Sequence, residues 1–307
     1  MAIKIEQLCP TFAARIEGLD LRKPLDDETF DAVHAAIDEY GVLVFNGEKL
    51  SEEQQVDFAL RFGPLDAVNG IIQTGIKNRI SKRLVDISNL DENGEVLDRQ
   101  NRRRMANLGN MLWHTDSSFK AVTAKYSLLH AHTVVSEGGE TQIADMCAAY
   151  DALPQKMKDR IEGLEAEHSV IASRATLGFT EFSDEERAAL PPQIRTVVRT
   201  LPSGRRSLYL ASHASHILGW PVPEGRMLIR ELVEHATKPE FVYTHHWQVG
   251  DVLMWDNRRT MHRARPFDES ERRDMRRATV MDPNWTGRDV LAANDSAHAQ
   301  SAAAGDD

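Results

Sequence analysis

Hydrophobic positions change period twice within the first fifty residues. Phe30, Val33, Ile37 and Tyr40 recur at helical spacing, which predicts a helix over about 27–40, stopped by Gly41. Val42, Leu43, Val44 and Phe45 then form an unbroken apolar run, the pattern of a buried strand. Ser51 with Gln54 three positions later reads as a capping box, opening a second helix that should reach Phe62 and close at Gly63. Ser183 with Glu186 repeats that signal. From Asp66 to Met105 the apolar rhythm is lost. Charged residues, a DENG turn and the basic run Arg102, Arg103, Arg104 replace it, as in a long excursion or active-site lid.

Strand-like runs resume over 126–135, 140–145, 207–210, 241–247, 251–255 and 276–281. Between them, 224–237 carries Met227, Leu228, Leu232 and Val233 at amphipathic helical spacing. Short strands with glycine-containing turns and flanking helices favour a mainly β, double-sheet sandwich or barrel over an alternating βαβ array. No repeat and no Pro/Gly/Ser-rich linker divides the chain, so one domain is expected over 1–287, with 66–105 as its lid. Residues 288–307, rich in Ala, Ser and Asp, read as a disordered tail.

Composition narrows the functional classes. The chain has 307 residues, 41% hydrophobic and 27% charged, which is globular rather than disordered or fibrous. Its 37 basic and 47 acidic residues sum to −10, which disfavours a general electrostatic grip on nucleic acid. Cys9 and Cys147 alone cannot build a disulfide framework or a four-thiolate metal site. The segment MAIKIEQLCP lacks a signal-like apolar region, and no run reaches the roughly 18 apolar residues of a membrane span. The expectation is a cytoplasmic protein with no nucleic-acid and no membrane partner.

Twelve histidines are present, and one of them stands in an HxD pair, His114 and Asp116 in GNMLWHTDSSF. In extended backbone, residues i and i+2 share a face, so this imidazole and carboxylate can meet one ion. His262, after a strand and tight turn in GDVLMWDNRRTMHRARPFD, is the candidate third ligand. Two imidazoles and one carboxylate on one face of an octahedral ion leave three open positions, an arrangement suited to non-haem Fe(II) oxygenases. Spacing alone also allows two separate structural histidines. In a strand over ERRDMRRATV, Arg273, Met275, Arg277 and Thr279 share one face, so two guanidiniums would enter one cavity. Buried guanidiniums are costly unless anions reach them, and their planar fork suits carboxylates. A solvated charged edge strand is the alternative.

Other candidates carry less. His213 and His216 in SHASH lack an adjacent acidic or thiol partner for a second metal site and read as packing residues. His130 and His132 alternate along a strand, whereas His245 and His246 point to opposite faces. Trp113, Trp247 and Trp255 read as core aromatics. Cys147 has no basic neighbour to activate it. GxSxG, Walker A and GxGxxG motifs are absent.

The pattern resembles the taurine dioxygenase family of Fe(II)/2-oxoglutarate-dependent oxygenases, and within it the branch acting on 2,4-dichlorophenoxyacetate. The resemblance rests on WHTDSSF, GGETQIADMCAAYDALP and WDNRRTMHRARPFDESERRDMRRAT, with SHASHILGWPVPEGRMLIRELVEHAT similar to the herbicide-degrading branch. It spans about 10–282 and is weakest over 66–104. It implies a double-stranded β-helix (jelly-roll) barrel, a homo-oligomer, and an enzyme using Fe(II), 2-oxoglutarate and O2 on a small anionic substrate. It further implies that His114, Asp116 and His262 bind iron, and that Thr141 and Arg273 hold the distal carboxylate of 2-oxoglutarate. Arg277 would hold the anionic group of the substrate, and Asn110 would line its pocket. The implied reaction hydroxylates the carbon beside the ether oxygen of an aryloxyalkanoate, giving a phenol and glyoxylate with succinate and CO2. Alternatives are a same-fold oxygenase of a sulfonate, an alkyl sulfate or another small carboxylate, and a non-catalytic metal- or ligand-binding barrel. A zinc hydrolase fits less well, since no carboxylate stands as a general base beside the ligands.

Overall fold

Side-chain alternation along four neighbouring strands sets the layering of the molecule. The computed structural model describes residues 3–47, 49–66 and 79–285. Val42 and Val44 join Leu253, Trp255, Leu129 and Met275 in one apolar cluster, whereas Leu43 and Phe45 join Val252, Met254, Leu128 and Ala278 in another. The sheet they form is therefore buried on both faces. It has seven strands, in the order Lys4–Gln7, Ala14–Glu17, Val42–Phe45, Val252–Asp256, Thr123–Thr133, Asp274–Asp282 and Val85–Asp86. Helices Asp27–Tyr40 and Glu52–Leu60 cover one face through Val33, Ala36, Ile37, Val56 and Ala59.

On the inner face, Ile143 joins the cluster containing Trp255 and Met275. It comes from the middle of a three-stranded sheet ordered Val242–His245, Thr141–Asp145, Thr260–Ala264. The outer side of that sheet, Ala144 and Met261, packs on helix Val222–Ala236 through Leu228 and Leu232. A third sheet (Ala214–Ile217, Glu165–His168, Gln193–Thr196) and the hairpin of Val198–Thr200 with Arg206–Leu208 complete the β structure of the described residues. The architecture is mainly β with flanking helices, as expected. Hydrogen bonding leaves four separate sheets rather than one closed cylinder.

Local chemistry explains the elements that the pattern predicts. Asp26 accepts from the Thr29 amide at 2.7 Å to start the first helix. Gly41 ends it at φ +70°, and a Cβ there would lie 2.8 Å from Nε of Arg259, so both backbone and space require glycine. Both capping boxes form, at Ser51 and Ser183, although the Ser51 helix ends at Leu60 rather than Phe62. The 126–135 run is observed as Thr123–Thr133, because register shifts beside His132 and Lys125 let the strand continue past polar positions. Lys4–Gln7 gives no apolar signal since all four residues are exposed at a sheet edge.

The 66–105 stretch is tied down where it is described. Val85–Asp86 pairs with Arg276 and Arg277, Arg79 bridges Asp86 and Asp274, and Arg103 reaches Asp86 at 2.8 Å. Its residues 67–78 and the tail expected over 288–307 lie outside the described residues. No described helix is long and apolar enough to cross a membrane.

Candidate active site

Two reciprocal backbone hydrogen bonds bring distant parts of the chain together. The His114 amide donates to the His262 carbonyl at 2.9 Å, and the His262 amide donates to the His114 carbonyl at 2.7 Å. The rings lie 4.2 Å apart, and Asp116, two residues along, faces both. Its Oδ1 is 3.8 Å from Nε2 of His114, and its Oδ2 is 3.6 Å from Nε2 of His262. One ligand atom from each of the three side chains lies within 4.8 Å of the others, and all three residues are buried. Among the described residues no other His/Cys/Asp/Glu cluster meets that geometry.

A polar scaffold fixes this triad. Ser127 donates to Asp116 Oδ2 at 2.7 Å, and Arg277 Nη1 donates to Oδ1 at 2.5 Å. Asn257 accepts from the Asp116 amide and from the Trp255 indole, and its own amide donates to Ser127. Trp255 packs 4.5 Å from the His262 ring, while Thr115 Oγ1 donates to the Thr260 carbonyl at 2.6 Å. Ser117, at φ 56°, turns the chain away after Asp116. Burial pushes the Asp116 carboxyl upward, but Arg277, His262 and His114 together hold it well below the usual carboxylate range. Burial lowers both imidazoles against the pull of Asp116; the charges of Arg174 and Arg277 add to this at His114, and those of His114 and Arg277 at His262, so both rings are held neutral.

The arrangement fits a divalent cation. The His114 Nδ1 lies 2.7 Å from the Leu112 carbonyl, so that nitrogen carries the proton and Nε2 presents its lone pair toward Asp116. Two neutral imidazoles and one ionised carboxylate make a one-sided, mixed nitrogen and oxygen donor set suited to first-row divalent ions.

Arg273 stands apart from that pairing. It is 5% exposed, and among the described residues its side chain donates only to the carbonyls of Gly139 (3.2 Å) and Ile87 (3.4 Å) and meets no carboxylate. Burial lowers it to about 10, so it stays cationic at neutral pH. It lines a cleft together with Asn110, Met111, Ser88, Asn89 and Phe267. Thr141 is buried, faces Ala264 in the strand register two residues beyond His262, and accepts from Trp247 Nε1 at 3.1 Å. The Gly139 carbonyl bonded to Arg273 lies two residues before it. Arg276, on the opposite face of its strand, pairs with Asp274 and Glu52.

Sequence reasoning missed several of these residues. Asn257 and Ser127 have no local motif, the single available signal being WDN next to the His262 segment, whereas Trp255, read as a core aromatic, is one and packs on the His262 ring as well. His213, read as a packing residue, is fully buried with its ring 5.9 Å from His114 and its Nδ1 3.1 Å from Ser118 Oγ. His216 turns away toward Ser215 and Glu167, so the two form no second metal site. His245 pairs with Asp251, while His246 is exposed. Burial pushes the Cys147 thiol up to about 11, so it is not an activated nucleophile.

With this geometry in view, the relatives become informative. Residues 4–279 match the model of the taurine catabolism dioxygenase TauD, TfdA family. The chain belongs to that family. The resemblance read from the sequence is thereby borne out. Among curated TauD/TfdA relatives, the chain is 47% identical to the alpha-ketoglutarate-dependent 2,4-dichlorophenoxyacetate dioxygenase of Cupriavidus pinatubonensis, covering 92% of this chain and 99% of that one. It is 37% identical to the (S)-phenoxypropionate/alpha-ketoglutarate-dioxygenase of Sphingobium herbicidovorans, covering 89% and 93%. A solved structure of AAD-2 in complex with Mn(II) and N-oxalylglycine superposes with a TM-score of 0.91 at 49% identity, covering 93% of this chain and all of that one. This TauD/TfdA member is a dioxygenase.

Proposed function

We propose that this enzyme is an Fe(II)- and 2-oxoglutarate-dependent dioxygenase that hydroxylates the carbon beside the ether oxygen of an aryloxyalkanoate such as 2,4-dichlorophenoxyacetate. The observation that carries this reading is the convergence of His114, Asp116 and His262 in a fold that also buries Arg273, a cation with no acidic partner among the described residues. Identity of 47% and 44% to two 2,4-dichlorophenoxyacetate dioxygenases supports the substrate class. The facing seven- and three-stranded sheets are read as the two halves of a double-stranded β-helix, and 66–105 as the cover of its mouth.

When bound, Fe(II) supplies the O2 chemistry that couples oxidative decarboxylation of 2-oxoglutarate to hydroxylation of the substrate. One oxygen atom ends in succinate and the other in the new hydroxyl group, with CO2 released. The chain's own residues position and neutralise. His114, Asp116 and His262 hold the ion, with Ser127 and Asn257 keeping the carboxylate aimed at it. Arg273 and Thr141 receive the distal carboxylate of 2-oxoglutarate, Arg273 through its fork and Thr141 through a hydroxyl already oriented by Trp247. Arg277 keeps Asp116 ionised, and its buried, unpartnered Nε is available to the anionic group of the substrate. Asn110 borders the substrate. Hydroxylation beside the ether oxygen gives a hemiacetal, which collapses to a phenol and glyoxylate. Because position decides which C–H faces the ion, specificity lies in the wall around it.

Succinate release and O2 uptake across a panel of aryloxyalkanoates, sulfonates, alkyl sulfates and small carboxylates test this reading. Substrate-dependent succinate with an aryloxyacetate, and equimolar phenol, are expected. Turnover confined to sulfonates or sulfates would move the substrate class, and no coupled O2 uptake with any compound would leave a binding protein.

A further inference from the structure

A third guanidinium stands near the triad without a role in that reading. Arg174 lies near the end of the short helix Val170–Ala175. Its head is pressed against the turn Leu108–Met111, so closely that a Cβ on Gly109 would fall 2.1 Å from its Cζ and Nη1. The next residue in that turn is Asn110, which lines the cleft shared with Arg273. On the other side, Ser173 Oγ meets Ser212 Oγ at 2.9 Å, and the Ser212 amide donates to the carbonyl of Trp113, the residue before His114. The segments carrying Gly109, His114 and His213 therefore converge around Arg174.

Its polar partners are sparse. Among the described residues its one hydrogen bond from the guanidinium is Nη1 to Ser173 Oγ, at 3.4 Å, and no carboxylate lies within ion-pair distance. The Nε is buried and unpartnered. Burial lowers the group to about 10, which leaves it charged at neutral pH. A largely buried cation with no counter-charge among the described residues is costly unless a ligand delivers one. Arg277 already has Asp116, and Arg273 is assigned to the cosubstrate.

We propose that Arg174 is a second receptor for the carboxylate of the substrate, and that its place beside Gly109 and Asn110 selects carboxylated aryl ethers over neutral ones. The proposal rests on the aryloxyalkanoate reading above. It also gives Gly109 a reason: any side chain there would displace the guanidinium.

Calorimetric binding to protein filled with Mn(II) and N-oxalylglycine, which does not turn over, tests it. Arg174→Gln should raise the Kd of phenoxyacetate about 10- to 100-fold, the range for losing a charged hydrogen bond. The Kd values of phenoxyacetamide and of N-oxalylglycine should stay within about twofold of wild type, and Arg174→Lys should recover part of the phenoxyacetate affinity. Gly109→Ala, which keeps the charge but moves the head, should weaken phenoxyacetate selectively in the same direction and serves where Arg174→Gln folds poorly. Wild-type phenoxyacetate affinity in both Arg174→Gln and Gly109→Ala, or parallel loss of acid, amide and N-oxalylglycine binding, would overturn the proposal. Succinate release by wild type with aryloxyalkanoates separates the two levels: if it occurs and Arg174→Gln binds normally, only the Arg174 assignment falls. If it never occurs, the function reading falls and the proposal with it.

Discussion

The floor of the site and its wall are built differently. His262 sits on a strand of the smaller sheet, locked by paired backbone bonds to His114, and the Asp116 carboxylate is held by Ser127 and Arg277. The wall of the neighbouring cleft is made of turns and connecting segments: Leu108, Asn110 and Met111 of the turn Leu108–Met111, and the run through Ser88 and Asn89. Strand register allows little adjustment, because a slip of one residue turns every side chain to the other face. Turns tolerate change. On the proposed function, reaction type belongs to the floor and substrate choice to the wall, and mutations in the two regions should fail in different ways.

The largest effect is expected at the floor. Asp116→Asn should lower turnover on the order of 10³-fold or more, with Fe(II) affinity falling in parallel, because it removes a charged ligand and leaves Arg277 without its partner. Metal titration alongside succinate assays would check this, and retained tight binding would break the contrast. Next, Arg273→Ala should raise the apparent 2-oxoglutarate requirement about 10- to 150-fold, equivalent to about 1.5–3 kcal/mol. The Fe(II) requirement without cosubstrate should be unchanged, as steady-state and metal-binding measurements can show.

Smaller effects sharpen the comparison. Asn257→Ala removes an acceptor for the Asp116 amide and the Trp255 indole, and should cost about 1–3 kcal/mol of stability by denaturant unfolding. A wall variant such as Asn110→Ala should leave stability nearly unchanged while shifting KM among aryloxyalkanoates.

The smallest effect is a pH dependence set outside the site. Burial drives His130 down to about 3 and His168 to about 3, below the ordinary value near 6.5. The unfolded chain then binds more protons than the folded one, so stability is full above about pH 6.5 and is lost as pH falls toward 3. Each contributes on the order of 1–2 kcal/mol by pH 5. His130→Gln should flatten the fall of Tm between pH 7 and 5, and an unchanged slope would remove His130 from that account.

What was legible in the sequence follows the same division. Helix 27–40 announced itself by period and by Gly41, and the central strands by their apolar runs. The HxD pair and the two arginines were readable because their spacing survives in extended backbone: both register shifts add a residue to the Thr123–Thr133 strand, so the Asp274–Asp282 strand keeps its alternation. Asn257, Ser127, His213 and Arg174 were not readable as site residues. Each meets the site only through pairing between distant segments, which leaves no local pattern of residues. Arg277 shows the limit best, since its face could be read from the strand but its contact with Asp116 could not.

One spectroscopic titration bears most directly on the three-ligand centre. Under anaerobic conditions, Fe(II) and 2-oxoglutarate added to the wild-type protein should produce a visible charge-transfer absorption that saturates at one ion per chain. His262→Ala, folded by circular dichroism, should lose that absorption, and an undiminished signal with the same stoichiometry would contradict the account.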